Sequence, residues 1–240
     1  MKIVWKILKW ILIGLGSLIG FTVAIIGATL LISHFTTHRT DEWNYQVTSD
    51  NLVWLMEYKG DAETLVIPAT LENLTVTKIC GGAFEKDTLR EVTIPATVTE
   101  VSAFAFNGCP NLVAIHVDPA NEHYASASGA LITADGRKLV CIPCGLTEFT
   151  VPEGVEVIGL AASGYNRQLT RVTLPEGVTT VEDSAFFAND SLTEVNLPAS
   201  VTIIRETAFD HCPQLTLVVA PGSHGEFWAT RHSIPCRTAD

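Results

Sequence analysis

The chain has 240 residues, 47% of them hydrophobic, and carries 15 Lys and Arg against 26 Asp and Glu. Its first nine residues hold three lysines and no acid, so residues 10–240 have 15 − 3 = 12 basic and 26 acidic side chains, a formal charge of −14. Such a surface repels polyanions and excludes a nucleic-acid-binding role, which needs a basic footprint to displace counterions from phosphates.

Lys2, Lys6 and Lys9 mark residues 1–9 as a cytoplasmic tail, because the stretch from Trp10 to Ser33 that follows contains no charge. As a helix that stretch would run about 36 Å, enough to cross a hydrocarbon core of about 30 Å. Acids and histidines follow it, so the basic bias places the N-terminus inside and the rest of the chain outside a bacterial cytoplasmic membrane, a single-pass signal-anchor. The alternative, a cleaved secretory signal, calls for a shorter apolar region ending at a small-x-small site. Gly16, Gly20, Ala24 and Ala28 recur every four residues along the span. That spacing makes them a candidate helix-dimer face, set against ordinary Gly and Ala usage.

Residues 34–44 read as a juxtamembrane linker, and residues 45–64 as a capping hairpin. In the latter, Tyr45–Val47 and Leu52–Met56 are β-prone runs around the turn signal Thr48–Asn51.

From residue 65 to 220 the chain repeats. Leu146, Phe149, Val151 and Pro152 return as Leu169, Val172, Leu174 and Pro175, and again, after an equal step, as Leu192, Val195, Leu197 and Pro198. Val155, Val178 and Val201 keep the same step, as do the pairs Ala185, Phe186 and Ala208, Phe209. A unit this short cannot bury its apolar side alone and must stack on copies of itself, so the fold class is mainly β, a solenoid. About five inward side chains per coil, at roughly 1.5 to 3 kcal/mol each, oppose the ordering entropy. A first, imperfect repeat begins at Leu65, with extra residues around Glu72 to Thr75, and a regular one begins at Leu89.

The step from Leu112 to Leu146 is longer than the others by about half a repeat, so an insertion sits inside this unit. Residues 118–144 therefore read as an inserted hairpin turning at Asp135 and Gly136, with arms Ala130–Ile132 and Lys138–Val140, expected to protrude. One coil breaks its own pattern: Ser163 stands in the slot of Phe106, Phe186 and Phe209, and Tyr165 is the nearest candidate to fill it. The last repeat starts at Leu215. Residues 221–240 form a C-terminal cap, in which Ser223 and Glu226 have capping-box spacing for a short helix through His232, and Phe227, Trp228 and Ile234 would cover the final coil.

Residues 169–191 and 192–214 closely follow the pattern L-T-x-[VI]-x-[LI]-P-x-x-V-x-x-[VI]-x-x-x-A-F-x-x-C, and so resemble the BspA-like class of bacterial leucine-rich repeats. The resemblance covers most of the chain from Tyr45 onward, including the inserted segment with Asn121 and Tyr124. It implies a leucine-rich-repeat solenoid on a surface or secreted protein, with roles in adhesion or protein binding and no catalytic motif position. Fold alone does not fix function.

Cys109 and Cys212 follow Phe106 and Phe209 by three residues, the slot this class often fills with a buried unpaired cysteine, and read as small core residues. Cys141 and Cys144 have redox or half-zinc spacing, yet no helix N-terminus or further ligands accompany them. A local disulfide or two spare thiols outranks a zinc or redox site. Cys80 and Cys236 have no assignable partner, and the scattered histidines read as polar surface. No nucleophile elbow, phosphate loop or metal-ligand spacing occurs, so neither enzymatic activity nor a cofactor is expected.

The strand surface remains. By alternation Thr93, His116, Thr150, Thr173, Asn196 and Val219 form an outward column, with Glu91, Glu148 and Glu194 as an acidic rim. Exposed Thr is common on sheets for its β-propensity alone, but solenoids also use such faces for recognition. The sequence therefore points to a membrane-anchored extracytoplasmic module that binds an unknown protein or glycan at the cell surface. The alternative is a structural envelope scaffold that oligomerises through its anchor.

Overall fold

The computed structural model describes residues 36–238. The apolar segment 10–33 and its small-residue positions Gly16, Gly20, Ala24 and Ala28 lie outside the described residues. Among those described, no helix is long and apolar enough to cross a membrane.

The N-terminal end is antiparallel. Strand β1 (Thr36–Arg39) pairs with β2 (Trp43–Val47), which pairs with β3 (Leu52–Tyr58) across the Thr48–Asn51 turn, where Asn51 takes a φ of 58°. A hairpin of β2 and β3 thus stands at this end, with β1, inside residues 34–44, as its edge strand. Trp43, Tyr45, Val53, Leu55 and Tyr58 close the end of the core.

Coils then follow, each with a longer strand carrying the Leu-x-x-Val-x-Leu pattern and a short strand near the Val-x-x-Val pattern. The longer strands are β4 (Thr64–Val66), β7 (Glu91–Ile94) and β9 (Ala114–Val117), then β13 (Glu148–Thr150), β15 (Arg171–Thr173), β17 (Glu194–Leu197) and β19 (Thr216–Val219), paired in parallel as two separate ladders. Strand β6 (Leu74–Ile79) and the short strand β8 (Glu100–Val101) continue β3. Further on, β14 (Val157–Ile158), β16 (Thr180–Val181) and β18 (Ile203–Ile204) make a second short ladder. The extra residues near Glu72 form a tight hairpin from β5 (Thr70–Leu71) back into β6, with Glu72 and Asn73 both at positive φ as a type I′ turn requires.

Local chemistry explains the repeat. After β7, β13, β15 and β17 a proline carbonyl accepts from the valine three residues on: Val98 to Pro95, Val155 to Pro152, Val178 to Pro175 and Val201 to Pro198. Gly154 and Gly177 supply φ values of 89° and 105° inside two of these turns. In the C-terminal coils the threonine after the leading leucine ties coil to coil: Thr170 and Thr193 donate through Oγ1 at 2.9 Å to the carbonyls of Thr147 and Thr170. Inward residues such as Leu169, Val172, Leu174, Val178, Val181 and Phe186 are fully buried, and Phe186 stacks on Phe209 at 5.2 Å.

The inserted segment does not protrude. Strands β10 (Tyr124–Ala127), β11 (Ala130–Thr133) and β12 (Lys138–Cys141) form an antiparallel meander with the expected turn at Gly136, but β12 then pairs in parallel with β14 and becomes the first rung of the second short ladder. Leu131 and Cys141 pack into the N-terminal half of the core, while Ala130, Ile132, Leu139 and Ile142 pack into the C-terminal half. Side chains alternate across a strand, so β11 is buried on both faces and joins the two halves. Asn121 pins the insertion to the preceding coil: its amide donates at 2.9 Å to the carbonyls of Pro95 and Val98, and its oxygen accepts from the His123 and Tyr124 amides.

The C-terminal cap is helix α1 (His224–Arg231), with Ser223 as N-cap accepting from the Glu226 amide at 3.3 Å. Trp228 is buried edge-on to Phe209 at 5.7 Å and Ile234 packs on the core, but Phe227 faces solvent, 65% exposed. A final strand β20 (Cys236–Thr238), short and polar, adds to β19.

Candidate functional site

The outward column divides into two groups. Thr93 lies beside His116, with Val66 on the other flank; Thr150, Thr173 and Asn196 lie in consecutive register on the second ladder. Strand β9 does not pair with β13. Its free edge is taken by the insertion, where the Gly129 carbonyl accepts from the Ile115 amide at 2.8 Å and the Ser126 hydroxyl donates to the Ile115 carbonyl at 2.7 Å. Gly129, at φ 79°, permits this approach, since a Cβ there would stand 3.2 Å from the Val113 carbonyl oxygen.

At its far end the column departs from the constant step. Asn196 pairs with Val218, not Val219, because Leu217 follows Val195 one position sooner than Val195 follows Val172. Val219 points into the core and Val218 is buried as well, so the polar column ends at Asn196.

The rim is not a bare acidic edge. Arg171 lies between Glu148 and Glu194 in register, with its Nε 3.2 Å from Glu194 and a terminal nitrogen 3.9 Å from Glu148. Arg237 on β20 reaches Glu194 at 2.9 Å, and Glu91 faces His116 at 3.3 Å. Exposed pairs of this kind contribute about 0 to 1 kcal/mol each, so the alternation shapes the surface potential more than the stability. Arg171 shares the repeat phase of Glu148 and Glu194, so the alternation of charge was present in the sequence at the same equal step.

The cysteines are free thiols. Cys109 and Cys212 hold the expected inward slot, their sulfurs 3.3 Å and 2.9 Å from the carbonyl oxygens of Phe84 and Phe186. Cys141 and Cys144 are both buried. Cys144 approaches the carbonyls of Phe106 and Asn107 at 3.8 Å and 3.6 Å. Burial pushes the Cys109 and Cys212 thiols up to about 11 and Cys144 up to about 12, and also raises Cys141, with help from its thiol neighbours. Thiols held protonated in this way are poor nucleophiles and poor metal ligands. Among the described residues no group of three or more His, Cys, Asp or Glu is placed to hold a metal ion.

Tyr165 does not fill the slot left by Ser163. It is 49% exposed, and the Ser163 side chain is buried with its Oγ lacking a partner among the described residues. The neighbouring Phe slot of the inserted coil is Ile142, whose amide donates to the Ala162 carbonyl just as Ser163 donates to Ala185 and Phe186 to Ala208.

Parallel coils with this leucine pattern define a leucine-rich-repeat solenoid. The model of the BspA-type leucine-rich repeat region matches six copies over residues 58–127 and 140–227, and the chain belongs to that family. No curated protein matches it in sequence. In fold it is similar to a leucine-rich repeat protein from Eubacterium ventriosum, 18% identical over 78% of this chain and 73% of that one, with a TM-score of 0.50. Looser likenesses are the pneumococcal vaccine antigen PcpA, 14% identical over 77% and 82% with a TM-score of 0.43, and a leucine-rich cell surface protein of Faecalibacterium prausnitzii, 15% identical over 80% and 96% with a TM-score of 0.34.

Proposed function

We propose that the protein is a non-catalytic binding module held at the outer face of a bacterial cytoplasmic membrane by residues 10–33, which presents its longer-strand face to a protein or glycan. The observation that carries this reading is the register of Thr150, Thr173 and Asn196 on consecutive parallel strands. Strands in such a ladder are about 4.8 Å apart, so short polar side chains stand in a regular row on a backbone already ordered by its ladder hydrogen bonds. Membership of a surface-associated repeat family and the acidic exterior support an extracytoplasmic place for it.

The test is capture of surface partners by the full-length chain and by its Thr150→Glu, Thr173→Glu and Asn196→Glu variants. Loss of a captured partner with the circular dichroism spectrum unchanged is expected. Capture that is indifferent to all three variants would remove this face from the account. The intact N-terminus should be recovered from membrane fractions; a mature chain starting near residue 34 would contradict the anchor.

A further inference from the structure

The inserted coil is shorter than its neighbours at one turn. From the Phe slot to the leading leucine of the next strand there are six residues in Phe106 to Leu112, Ser163 to Leu169 and Phe186 to Leu192, but four in Ile142 to Leu146. The missing pair leaves a notch in the side of the stack, and the coils on either side reach across it. The Asn107 amide donates to the carbonyls of Gly164 at 2.7 Å and Ala161 at 3.3 Å, and the Gln168 amide donates to the Pro110 carbonyl. The rings of Phe104 and Tyr165 meet at 6.0 Å with a tilt of 57°. The result is a cleft of about 520 Å³ walled by these four side chains together with Glu85 and Arg167. Gly108 and Gly164 keep it open, since a Cβ on Gly108 would stand 2.7 Å from Glu85 Cγ and one on Gly164 would stand 3.2 Å from the Phe104 ring.

The two aromatic residues are not what the backbone selects. Phe104 and Tyr165 have φ values of 63° and 60°, at turn phases where other coils carry Gly82, Ser184, Ala188 or His211. Left-handed backbone favours glycine and small or polar residues, and a bulky ring there is strained. Both rings stay partly in solvent, Phe104 37% exposed and Tyr165 half exposed, the latter also edge-on to Phe187 at 5.3 Å. Two ring residues at left-handed positions, side by side in one cleft, point to recognition.

The chemistry of the lining narrows the ligand. The lining holds one acid, Glu85, and one base, Arg167, which also lies 3.9 Å from Asp190, so no strong net charge selects an anion or a cation, although residues 10–240 carry −14 overall. Asn107 and Gln168 direct their amide hydrogens to backbone carbonyls, which leaves their oxygens as acceptors. Tilted aromatic faces beside several acceptors and one cationic donor suit a polyhydroxylated ring: its C–H face lies on the aromatic wall, and its hydroxyls donate to Glu85, Asn107 and Gln168 and accept from Arg167. We propose that this cleft binds a neutral pyranose unit of a glycan, with Phe104 and Tyr165 as the stacking platform. The inference rests on the binding-module reading and names a ligand class and a second surface for it. A volume of this size suits a mono- or disaccharide.

Saturation-transfer NMR and calorimetric titration of the full-length chain with cellobiose, N,N′-diacetylchitobiose and mannobiose, each to ~10 mM, test it. At least one should bind, with Tyr165→Ala and Phe104→Ala each weakening affinity about tenfold or more and Tyr165→Phe retaining it. Tyr165→Gly and Phe104→Gly should also lose the sugar while melting within ~4 °C of the parent, because glycine suits the left-handed backbone. Failure of all three disaccharides to bind, binding unaltered in the Phe104→Gly, Tyr165→Gly double variant, or a preference for sialylated or amino sugars over neutral ones would overturn the proposal. Sugar binding that fails while Thr173→Glu still abolishes partner capture would sink this inference alone and leave the binding-module reading standing.

Discussion

Ser163 occupies a core slot in which its neighbours carry phenylalanine, and its hydroxyl, 1% exposed as a residue, has no partner among the described residues. Burying an unmade hydrogen bond costs about 1 to 3 kcal/mol, so Ser163→Ala is expected to raise the free energy of unfolding by about 1 kcal/mol, seen as a higher urea midpoint. A lower midpoint would mean that the hydroxyl does bond. The thiols give a second expectation. With Cys109 and Cys141 buried and their thiols pushed up, and Cys236 exposed, alkylation of the native chain should label Cys236 first and reach Cys109 and Cys141 only on unfolding. Rapid labelling of Cys109 in the native state would contradict the packing around it. The inward phase of Cys109 and Cys212 was legible in the sequence because a fixed period assigns every residue a direction. The exposure of Tyr165 was not, because a period says nothing about a neighbouring coil that is two residues short.

Among the elements, turn chemistry was readable and destination was not. Asp135 and Gly136 mark a turn locally, and Gly136 has the φ of 75° that such a turn demands. Whether the arms stand in solvent or join a ladder depends on residues far away in sequence, here Val157 and Ile158 on β14. The continuous burial of Ala130, Leu131 and Ile132 was the available clue, since a strand covered on both faces reads as an unbroken apolar run. Because the insertion is core and not appendage, Leu131→Ala and Leu139→Ala should each destabilise by about 2 to 5 kcal/mol in chemical denaturation, where an arm projecting into solvent would lose well under 1 kcal/mol. The edge strands β1 and β20 left almost no trace in the sequence. They are short and polar, and only the open flank of a neighbouring strand makes them strands.

For the molecule entire, the insertion does three things at once. It divides the outward column into two groups, it ties the two halves of the core together through Leu131 and Cys141 on one side and Ala130, Ile132 and Leu139 on the other, and its shortened turn opens the cleft beside Phe104 and Tyr165. The solenoid class was legible from the period alone. The site was not, because it arises where the period fails. Nearest-neighbour coupling in solenoids makes the weakest coil the place where cooperativity breaks, and the insertion is the natural candidate for that break unless it is packed as described. Hydrogen–deuterium exchange across residues 130–142 is therefore the decisive measurement. Protection comparable to that of β15 and β17 is predicted. Exchange within seconds, with the flanking ladders still protected, would mean that the insertion hangs free and that neither the joined core nor the cleft exists.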